Sequence, residues 1–460
     1  MKNVSLKFGA EHVAVQLPDQ TEVLAMATPE PLADPPAAIA AALQNAIGAP
    51  GLADLIGQKL RENPALRAAV VISDNTRPVP YRGESGILWP ILRQLLDQGV
   101  APQRIVVIVA NGTHRSLNPS ELQAMLDPRV FQSGVRILNH DCFDRAALEY
   151  LGQTRRGSQI YINREYLQAD LKILTGLVES HFMAGVSGGR KSVCPGLIGE
   201  ESTYIFHSAP MLASPLACDL SLDGNPCHEE ALEVARKAGV DYIVNVTLDH
   251  QFRLTGVFAG DLEKAHLQAV AQVKKYVGIP VQQEYDLVVT HAGFVGINHY
   301  QAAKAGVAAS RILKPGGSLI MAANNTDADP VGSSRYRTVL HLLRQIGPER
   351  FNRLILSPDW TFIPEQWQVQ MWTKLFTKIP LENFVYYSPQ MTAADYEYLP
   401  GTDGNVFLPE SQRYRGDLAA AARVVERAVA GRLEAAAAAG RGPLSIAYLS
   451  DGPYGIPMLG

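Results

Sequence analysis

Apolar residues fall into short, nearly continuous runs, and these runs alternate with longer segments in which apolar positions recur at helical spacing. Runs of this kind are typical of strands buried on both faces of a parallel sheet. Segments such as Gly86–Gln98 and Glu229–Ala238 have the amphipathic pattern of helices. The alternation of strand and helix predicts an α/β fold with mainly parallel sheets. The runs expected to form strands are Ala69–Ser73, Ile105–Ala110, Val135–Leu138, Leu171–Leu174, Tyr242–Val246, Leu287–Thr290, Ser318–Ala322, Leu354–Leu356, Phe384–Tyr387 and Leu444–Leu449.

The pattern also predicts two domains. Asp261–Val277 has the pattern of one helix, Gly278-Ile279-Pro280 interrupts it, and a new strand–helix alternation starts at Tyr285. We therefore expect an N-terminal α/β domain over residues 1–270 and a C-terminal α/β domain over residues 284–440. Residues 441–460 are expected to form a terminal strand that could return to the N-terminal domain. Ligands of open α/β sheets bind beyond the carboxyl ends of the strands, so the residues that follow each run are the ones to inspect.

Composition narrows the class of protein. The chain has 460 residues, is 47% hydrophobic and carries a formal charge of −4, so no basic excess indicates a nucleic-acid partner. Its four cysteines form no CxxC pair, which argues against a disulfide scaffold or an all-cysteine zinc site. The first residues have no signal-peptide pattern and begin like a strand, and no apolar stretch is long enough for a membrane span. We expect a cytoplasmic protein with no membrane partner.

Two predicted strands are followed by loops with candidate chemistry. After the first comes Ser73-Asp74-Asn75-Thr76-Arg77-Pro78, in which Arg77 could hold a carboxylate or phosphate, although a solvated turn has the same composition. After the second comes Asn111-Gly112-Thr113-His114-Arg115, which places His114 just after the end of a strand, where it could act in proton transfer. A structural or capping histidine is the alternative at that position.

The densest polar string is Gly176–Ser192, in which Ser187-Gly188-Gly189-Arg190-Lys191 combines flexible backbone amides with two cations. This composition suits a phosphate, but the P-loop pattern requires Gly where Arg190 stands, so a nucleotide hydrolase is disfavoured. The like charge of Arg190 would destabilise the Lys191 ammonium and favour a nucleophile or covalent anchor. His207 follows in apolar surroundings and is either a core histidine or one of very few metal ligands.

The second half offers one further polar cluster. Tyr300, Gln301 and Lys304 have the spacing of a single helix face, and Trp367 lies within another polar string. An exposed helix start and a core tryptophan are the alternatives. No HExxH motif and no carboxylate-rich cluster indicates a metal.

Taken in order, these strings resemble the nickel-pincer lactate racemases and the related 2-hydroxyacid racemases and epimerases. The resemblance spans nearly the whole chain, and its most specific part is the glycine–lysine string. The matching strings are Ser73-Asp74-x-Thr76-Arg77-Pro78, Gly112-Thr113-His114-Arg115, Asn139-His140-Asp141, His181-x-x-Ala184-Gly185-x-Ser187-Gly188-Gly189-Arg190-Lys191, Pro195-Gly196, His207, Tyr300-Gln301-x-x-Lys304 and Gln366-Trp367-x-x-Gln370.

The resemblance implies a nickel-pincer nucleotide, a pyridinium-3-thioamide-5-thiocarboxylic acid mononucleotide, tethered to Lys191 with His207 as a nickel ligand. It implies that His114 and His181 are the acid/base pair on opposite faces of a small 2-hydroxy carboxylate. The mechanism that the resemblance implies removes hydride from C2 to give a 2-keto acid and returns it to either face. The implied substrate contacts are Arg77, Tyr300, Gln301, Lys304 and Trp367. The implied cofactor contacts, besides Lys191, are Asp74, Thr76, Ser187, Gly188, Gly189 and Arg190.

The same resemblance implies an active site in the cleft between the domains, and partner enzymes that synthesise the cofactor and insert nickel. Two other functions stay open: a non-catalytic phosphate-, anion- or cofactor-binding protein, and an NAD-type hydroxyacid oxidoreductase. The second would need a GxGxxG turn after the first strand, which the chain lacks. The identity of the hydroxy acid and the roles of His140, Cys194 and His299 are left undetermined.

Overall fold

Nine of the ten predicted apolar runs form strands in two six-stranded sheets, one in each of two units of the chain. The computed structural model describes every residue, Met1–Gly460. We call Thr28–His207 with Ser214–Tyr276 the central unit. Met1–Ala27, Ser208–Ala213 and Val277–Gly460 together form the terminal unit.

The sheet of the central unit is parallel except at one edge, where Leu254–Gly260 pairs antiparallel with its neighbour. Its middle strands are apolar on both faces because helices cover both sides: every residue of Ala68–Ser73 except Ser73 is buried. From edge to edge, the strands are Leu254–Gly260, Tyr242–Leu248, Leu171–Leu177, Ala68–Ser73, Ile105–Ala110 and Arg136–Asn139.

Helices of the central unit begin and end at residues suited to those positions. Pro226–Ala238 starts after Asn225, whose side chain accepts from the amides of Cys227 and His228, and it ends at Gly239 with φ of 78°. The helices are Pro35–Gln44, Leu52–Glu62, Leu88–Asp97, Pro119–Met125, Pro128–Gln132, Arg164–Leu167, Glu200–Phe206, Pro226–Ala238 and Lys264–Val277. Two hairpins pair Leu148–Gln153 with Gln159–Asn163 and Ser180–His181 with Gly185–Val186.

The sheet of the terminal unit is parallel throughout. Its strands, in order, are Thr402–Asp403, Phe384–Tyr387, Leu313–Ala322, Tyr285–His291, Ile446–Leu449 and Glu22–Leu24. An N-terminal hairpin, Lys2–Phe8 with Glu11–Leu17, shares an apolar core with this sheet and with the longest helix. Gly278–Val281 pairs with Ile456–Leu459 as a separate parallel ribbon. The helices are Ala209–Ala213, His299–Ser310, Ser334–Ile346, Pro348–Ile355, Gln366–Phe376, Ala393–Tyr396 and Ala420–Ala438.

The boundaries of the units differ from the division into residues 1–270, 284–440 and 441–460. Met1–Ala27 groups with the C-terminal residues, and Ile446–Leu449 lies between Tyr285–His291 and Glu22–Leu24. All four residues of Ile446–Leu449 are buried, so this strand requires a partner along both edges. The N-terminal strand supplies the second partner.

One predicted strand is wrong. Leu354–Leu356 lies at the end of the helix Pro348–Ile355, which starts at a proline after Gly347. The helix buries Phe351 and Ile355, four residues apart, while Leu354 and Leu356 are exposed. The run of three apolar residues therefore reflects one turn of an amphipathic helix.

Three further features bear on the class of protein. No helix has the length and apolar character needed to cross a membrane. All four cysteines are free. The α/β class with mainly parallel sheets is confirmed.

We expect Ile108→Ala, in the middle of the central sheet, to lower the free energy of unfolding by about 2–5 kcal/mol because it leaves a cavity. The side chain of Leu267 is 51% exposed, so Leu267→Ala is the matched control and should change stability by less than about 0.5 kcal/mol. Denaturant unfolding of both variants measures the difference. Equal losses would contradict this assignment of the core.

Candidate active site

Three loops of the central unit meet at one edge of its sheet. They follow Ala68–Ser73, Ile105–Ala110 and Leu171–Leu177, which are neighbouring parallel strands. Carboxyl ends of parallel strands point the same way, so the loops that carry His114, His181 and Lys191 lie together.

Asp74 holds His114 by a carboxylate–imidazole contact. Asp74 is 4% exposed, and its Oδ2 lies 2.6 Å from His114 Nδ1. The backbone N–H and the hydroxyl of Thr76 donate to the other carboxylate oxygen, at 3.1 and 2.6 Å. Burial acts to raise the pKa of Asp74, but the hydrogen bond and charge of His114, with Thr76, outweigh it and lower the pKa. The ionised carboxylate accepts a proton from Nδ1, so a neutral His114 ring has its lone pair on Nε2.

The Nδ1 atom of His181 accepts hydrogen bonds, whereas that of His114 donates one. It lies in the small hairpin with Gly185–Val186, and its Nδ1 accepts from the backbone amides of Met183 and Ala184 at 3.3 and 3.2 Å. A neutral ring that accepts at Nδ1 carries its proton on Nε2. That Nε2 lies 2.9 Å from Lys191 Nζ.

Lys191 is placed in an environment that favours its neutral amine. Burial, followed by the positive charges of Arg77 and Arg190, lowers the pKa of Lys191 to about 7. The Nε2–H of His181 can then donate to the amine. The charge effect predicted from the sequence is present, although burial is the larger cause.

The glycine turn before Lys191 is held by contacts with side chains of the central unit. Gly188 and Gly189 have φ of 74° and 51°, and a Cβ on Gly188 would lie 2.7 Å from Val178 Cγ2. The amide of Gly189 donates to Asn245 Oδ1 at 2.9 Å. His266 Nε2 lies 2.9 Å from the carbonyl of Ser187. The turn is thus held in place by two polar side chains of the fold.

Arg190 and Ser187 turn their polar groups into this scaffold. The Arg190 guanidinium is 1% exposed and donates to the carbonyl of Ala184 at 2.8 Å and to that of Gly188 at 3.4 Å. Burial lowers the pKa of Arg190 to about 9. Ser187 Oγ donates to the carbonyl of Leu177 at 2.7 Å. Both side chains stabilise the loop, and contacts from Ser187, Gly188, Gly189 or Arg190 to a cofactor remain predictions.

Arg77 is half-buried and pairs with Glu179, with 3.4 Å between Nη1 and Oε1. The guanidinium therefore faces the string that carries His181 and Lys191. Its remaining donors have the geometry that suits a carboxylate.

His207 follows the helix Glu200–Phe206 and faces the carbonyl of Thr203, with 3.0 Å between Nδ1 and the oxygen. Nδ1 therefore donates, and the lone pair is on Nε2. Burial, followed by the charge of Lys191, lowers the pKa of His207 to about 3. This ring is neutral and has the electronic form that a metal ligand requires. No group of three or more His, Cys, Asp or Glu residues is placed to hold a metal ion.

The predicted substrate residues of the terminal unit lie on two helices. Asn298 caps His299–Ser310, which carries Tyr300, Gln301 and Lys304. Trp367, on Gln366–Phe376, donates from Nε1 to the Tyr300 hydroxyl at 2.8 Å. Burial raises the pKa of Tyr300, so this hydroxyl stays protonated.

The structure accounts for the three residues without a predicted role. His140 is buried, and its Nε2 donates to the carbonyl of Ile198 at 3.0 Å. His299 is buried against Trp372, with ring centroids 4.8 Å apart, and its Nδ1 lies 2.8 Å from the Tyr336 hydroxyl. Cys194 is a buried free thiol whose pKa is raised by burial. Hydrogen bonds and ring packing hold the two histidines, and the Cys194 thiol is buried.

Sequence patterns did not single out Asn245, His266, Thr203 or Glu179. Asn245 gives one usable signal, because it is the only polar residue in the run Tyr242–Val246 apart from the first tyrosine hydroxyl. His266 and Thr203 lie in ordinary amphipathic helices, and nothing in their spacing points to the glycine turn or to His207.

Comparison with known proteins adds independent findings. A family model described as the lactate racemase N-terminal domain matches residues 8–218. A lactate racemase from Lactiplantibacillus plantarum is 34% identical over 336 residues, covering 72% of this chain and 76% of that protein. A lactate racemase from Thermoanaerobacterium thermosaccharolyticum is 30% identical over 338 residues, covering 73% of this chain and 75% of that protein.

Solved structures give the same fold. The lactate racemase apoprotein from T. thermosaccharolyticum superposes with a TM-score of 0.82 at 24% identity, covering 99% of this chain and 100% of that one. A protein from Thermotoga maritima superposes with a TM-score of 0.59 at 16% identity, covering 89% and 98%.

We expect acylation of Lys191 in the cofactor-free chain to show a pH midpoint of about 7, because burial and two nearby arginines disfavour the ammonium. Pulse labelling with acetic anhydride, followed by peptide mass spectrometry, measures it. Arg77→Gln removes one positive charge and should raise the midpoint. A midpoint near 10.5, the ordinary value for lysine, would contradict the assigned environment.

Proposed function

The chain belongs to the lactate racemase family, and from this premise we propose that it racemises or epimerises a small 2-hydroxy carboxylic acid with a nickel-pincer nucleotide attached to Lys191. Membership makes the chain an isomerase that acts on a small hydroxy acid. The proposal rests most on one observation. When both rings are neutral, His114 presents an Nε2 lone pair and His181 an Nε2–H at the sheet edge that also holds the Lys191 amine.

The residues fit the proposed cofactor. A buried amine whose pKa is lowered to about 7 suits the formation of a covalent thioamide link. His207 has its Nδ1 proton committed to Thr203, so its Nε2 has the form that binds nickel. A pincer group would supply sulfur and carbon donors, which is compatible with a single imidazole from the chain.

When bound, the nickel-pincer nucleotide would accept a hydride from C2 of the substrate and return it. His114, backed by Asp74 as in catalytic triads, would take the hydroxyl proton at Nε2. His181 would present its Nε2–H to the oxygen that gains negative charge when the hydride returns. The two histidines would serve the two faces of the planar 2-keto acid.

Substrate binding is proposed for Arg77, Tyr300, Gln301, Lys304 and Trp367. Arg77 would hold the carboxylate through paired N–H donors. Lys304 would add a second positive charge, and Gln301 an amide for the oxygen on C2. The Tyr300–Trp367 hydrogen bond keeps both rings in fixed orientations, which suits the wall of a binding pocket.

We expect protein produced alongside the cofactor-synthesising and nickel-inserting enzymes to carry one adduct on Lys191 and one equivalent of nickel. Intact mass, peptide mapping and metal analysis measure both. Lys191→Ala should lose the adduct, and His207→Ala should keep the adduct but lose nickel, because the two residues act on different parts of the group.

These variants separate the assignments. An adduct that persists in Lys191→Ala would overturn the anchor, and unchanged nickel in His207→Ala would overturn the ligand. If neither adduct nor nickel appears on the parent chain while the cofactor enzymes work on a known racemase, the anion-binding alternative gains support.

We expect His114→Ala and His181→Ala each to slow racemisation in both directions by about 10²–10⁴-fold, because each turnover needs a base and an acid. Asp74→Asn should also lower the rate, since an amide no longer fixes the Nδ1–H form of His114. Chiral chromatography of D- and L-lactate, and of other 2-hydroxy acids, measures the rates. Either histidine variant running at the parental rate would refute the two-histidine scheme.

A further inference from the structure

Glu179 is the one acidic side chain paired with Arg77 among the ion pairs of the chain. The Arg77 and Glu179 side chains are 32% and 40% exposed, and Nη1 lies 3.4 Å from Oε1. An exposed pair at this distance contributes little to stability. The pair still affects the geometry of the site, because the contact with Glu179 orients one edge of the planar Arg77 guanidinium.

The backbone of Glu179 is fixed to the glycine–lysine string. Its N–H donates to Ser187 Oγ at 3.0 Å, and its carbonyl accepts from the N–H of Ser187 at 2.9 Å. The carbonyl of Ser187 in turn faces His266 Nε2. Glu179 therefore belongs to the same hydrogen-bonded body as the turn that presents Lys191, and it precedes His181 by two residues.

Arg77 belongs to a different loop, the one that follows Ala68–Ser73 and contains Asp74. Within that loop, the N–H of Arg77 donates to the carbonyl of Asp74 at 3.3 Å. The Arg77–Glu179 pair thus joins the Asp74–His114 side of the site to the His181–Lys191 side. The guanidinium has five N–H donors, so one edge can stay on Glu179 while the other is offered to a ligand.

We propose that Glu179 is a positioning residue that holds the Arg77 guanidinium at a set distance from the His181–Lys191 body. This inference rests on the proposed function, in which Arg77 binds the substrate carboxylate. With that carboxylate held on one edge of Arg77, Glu179 determines where C2 stands relative to both histidines. Small displacements at such a clamp reduce turnover strongly.

The competing interpretation is that Glu179 only occupies Arg77 until a substrate carboxylate displaces it. The two roles predict different changes in KM and kcat when the Glu179 carboxylate is removed. Removal of a competitor lowers KM and leaves kcat unchanged. Removal of a positioning group lowers kcat, because the substrate binds in a less productive geometry.

The experiment compares the cofactor-loaded parent with Glu179→Gln, Glu179→Asp and Glu263→Gln. Glu263 is 41% exposed and pairs with Arg236, so Glu263→Gln is a matched change of an exposed ion pair away from the site. We expect Glu179→Gln to lower kcat for lactate by about tenfold and to weaken binding of oxamate, a planar keto-acid mimic, by about threefold. Glu179→Asp, which retains the charge, should recover part of kcat, and Glu263→Gln should match the parent.

A double-mutant cycle with Arg77→Lys completes the test, because a positioning residue acts through its partner. Once Arg77 is replaced, Glu179→Gln should have less than about a third of its effect in the parent. Thermal melting and the Lys191 adduct should be unchanged in Glu179→Gln, since the backbone contacts of residue 179 remain.

The outcomes separate two failures. A parent that racemises lactate and binds oxamate, with Glu179→Gln equal to it or with lower KM and full kcat, overturns the positioning role alone. Additive effects in the cycle do the same. A loaded parent that neither racemises any 2-hydroxy acid nor binds oxamate overturns the proposed function, and the role of Glu179 with it.

Discussion

The rest of the candidate site depends on the contacts that fix the glycine turn Gly188-Gly189, which precedes Lys191, to the fold. Asn245, from a neighbouring strand, binds the Gly189 amide, and His266 faces the carbonyl of Ser187. Because a Cβ on Gly188 would collide with Val178, only glycine permits this close approach. The turn then fixes the start of the Lys191 side chain, and through Ser187 it also fixes the segment that precedes His181.

Burial is the second theme, and it acts on cations and imidazoles alike. It is the largest cause of the lowered pKa of Lys191, Arg190 and His207. The same desolvation therefore favours a neutral amine at Lys191 and a neutral imidazole at His207. Ionised Asp74 is the exception, because three donors from His114 and Thr76 compensate for its burial. The site thus combines neutral nitrogen groups with one buried carboxylate that is held ionised by hydrogen bonds.

Much of this could be predicted from the sequence, for identifiable reasons. Buried strands such as Ile105–Ala110 have continuous apolar runs, which the sequence shows directly. The polar strings with Asp74, His114 and Lys191 come after such runs, so the sequence predicts that these residues lie at the carboxyl ends of the strands. Leu354–Leu356 was wrong because three residues are too few to separate a strand from a helix turn. The scaffolding role of Arg190 could not be predicted, since two of its partners are backbone carbonyls, which every sequence contains, and the third is His266 from a distant helix. The pairing of Glu179 with Arg77 depends on the order of the strands in the sheet.

The pairing of Glu22–Leu24 with Ile446–Leu449 has a consequence for biosynthesis. During translation Glu22–Leu24 leaves the ribosome well before Ile446–Leu449, the strand with which it pairs. The sheet of the terminal unit is therefore completed only after Ile446–Leu449 has emerged, whereas the residues of the central unit end at Tyr276. The nascent chain would carry Glu22–Leu24 unpaired while the central unit folds, with the edge of that strand open to other strands or to chaperones.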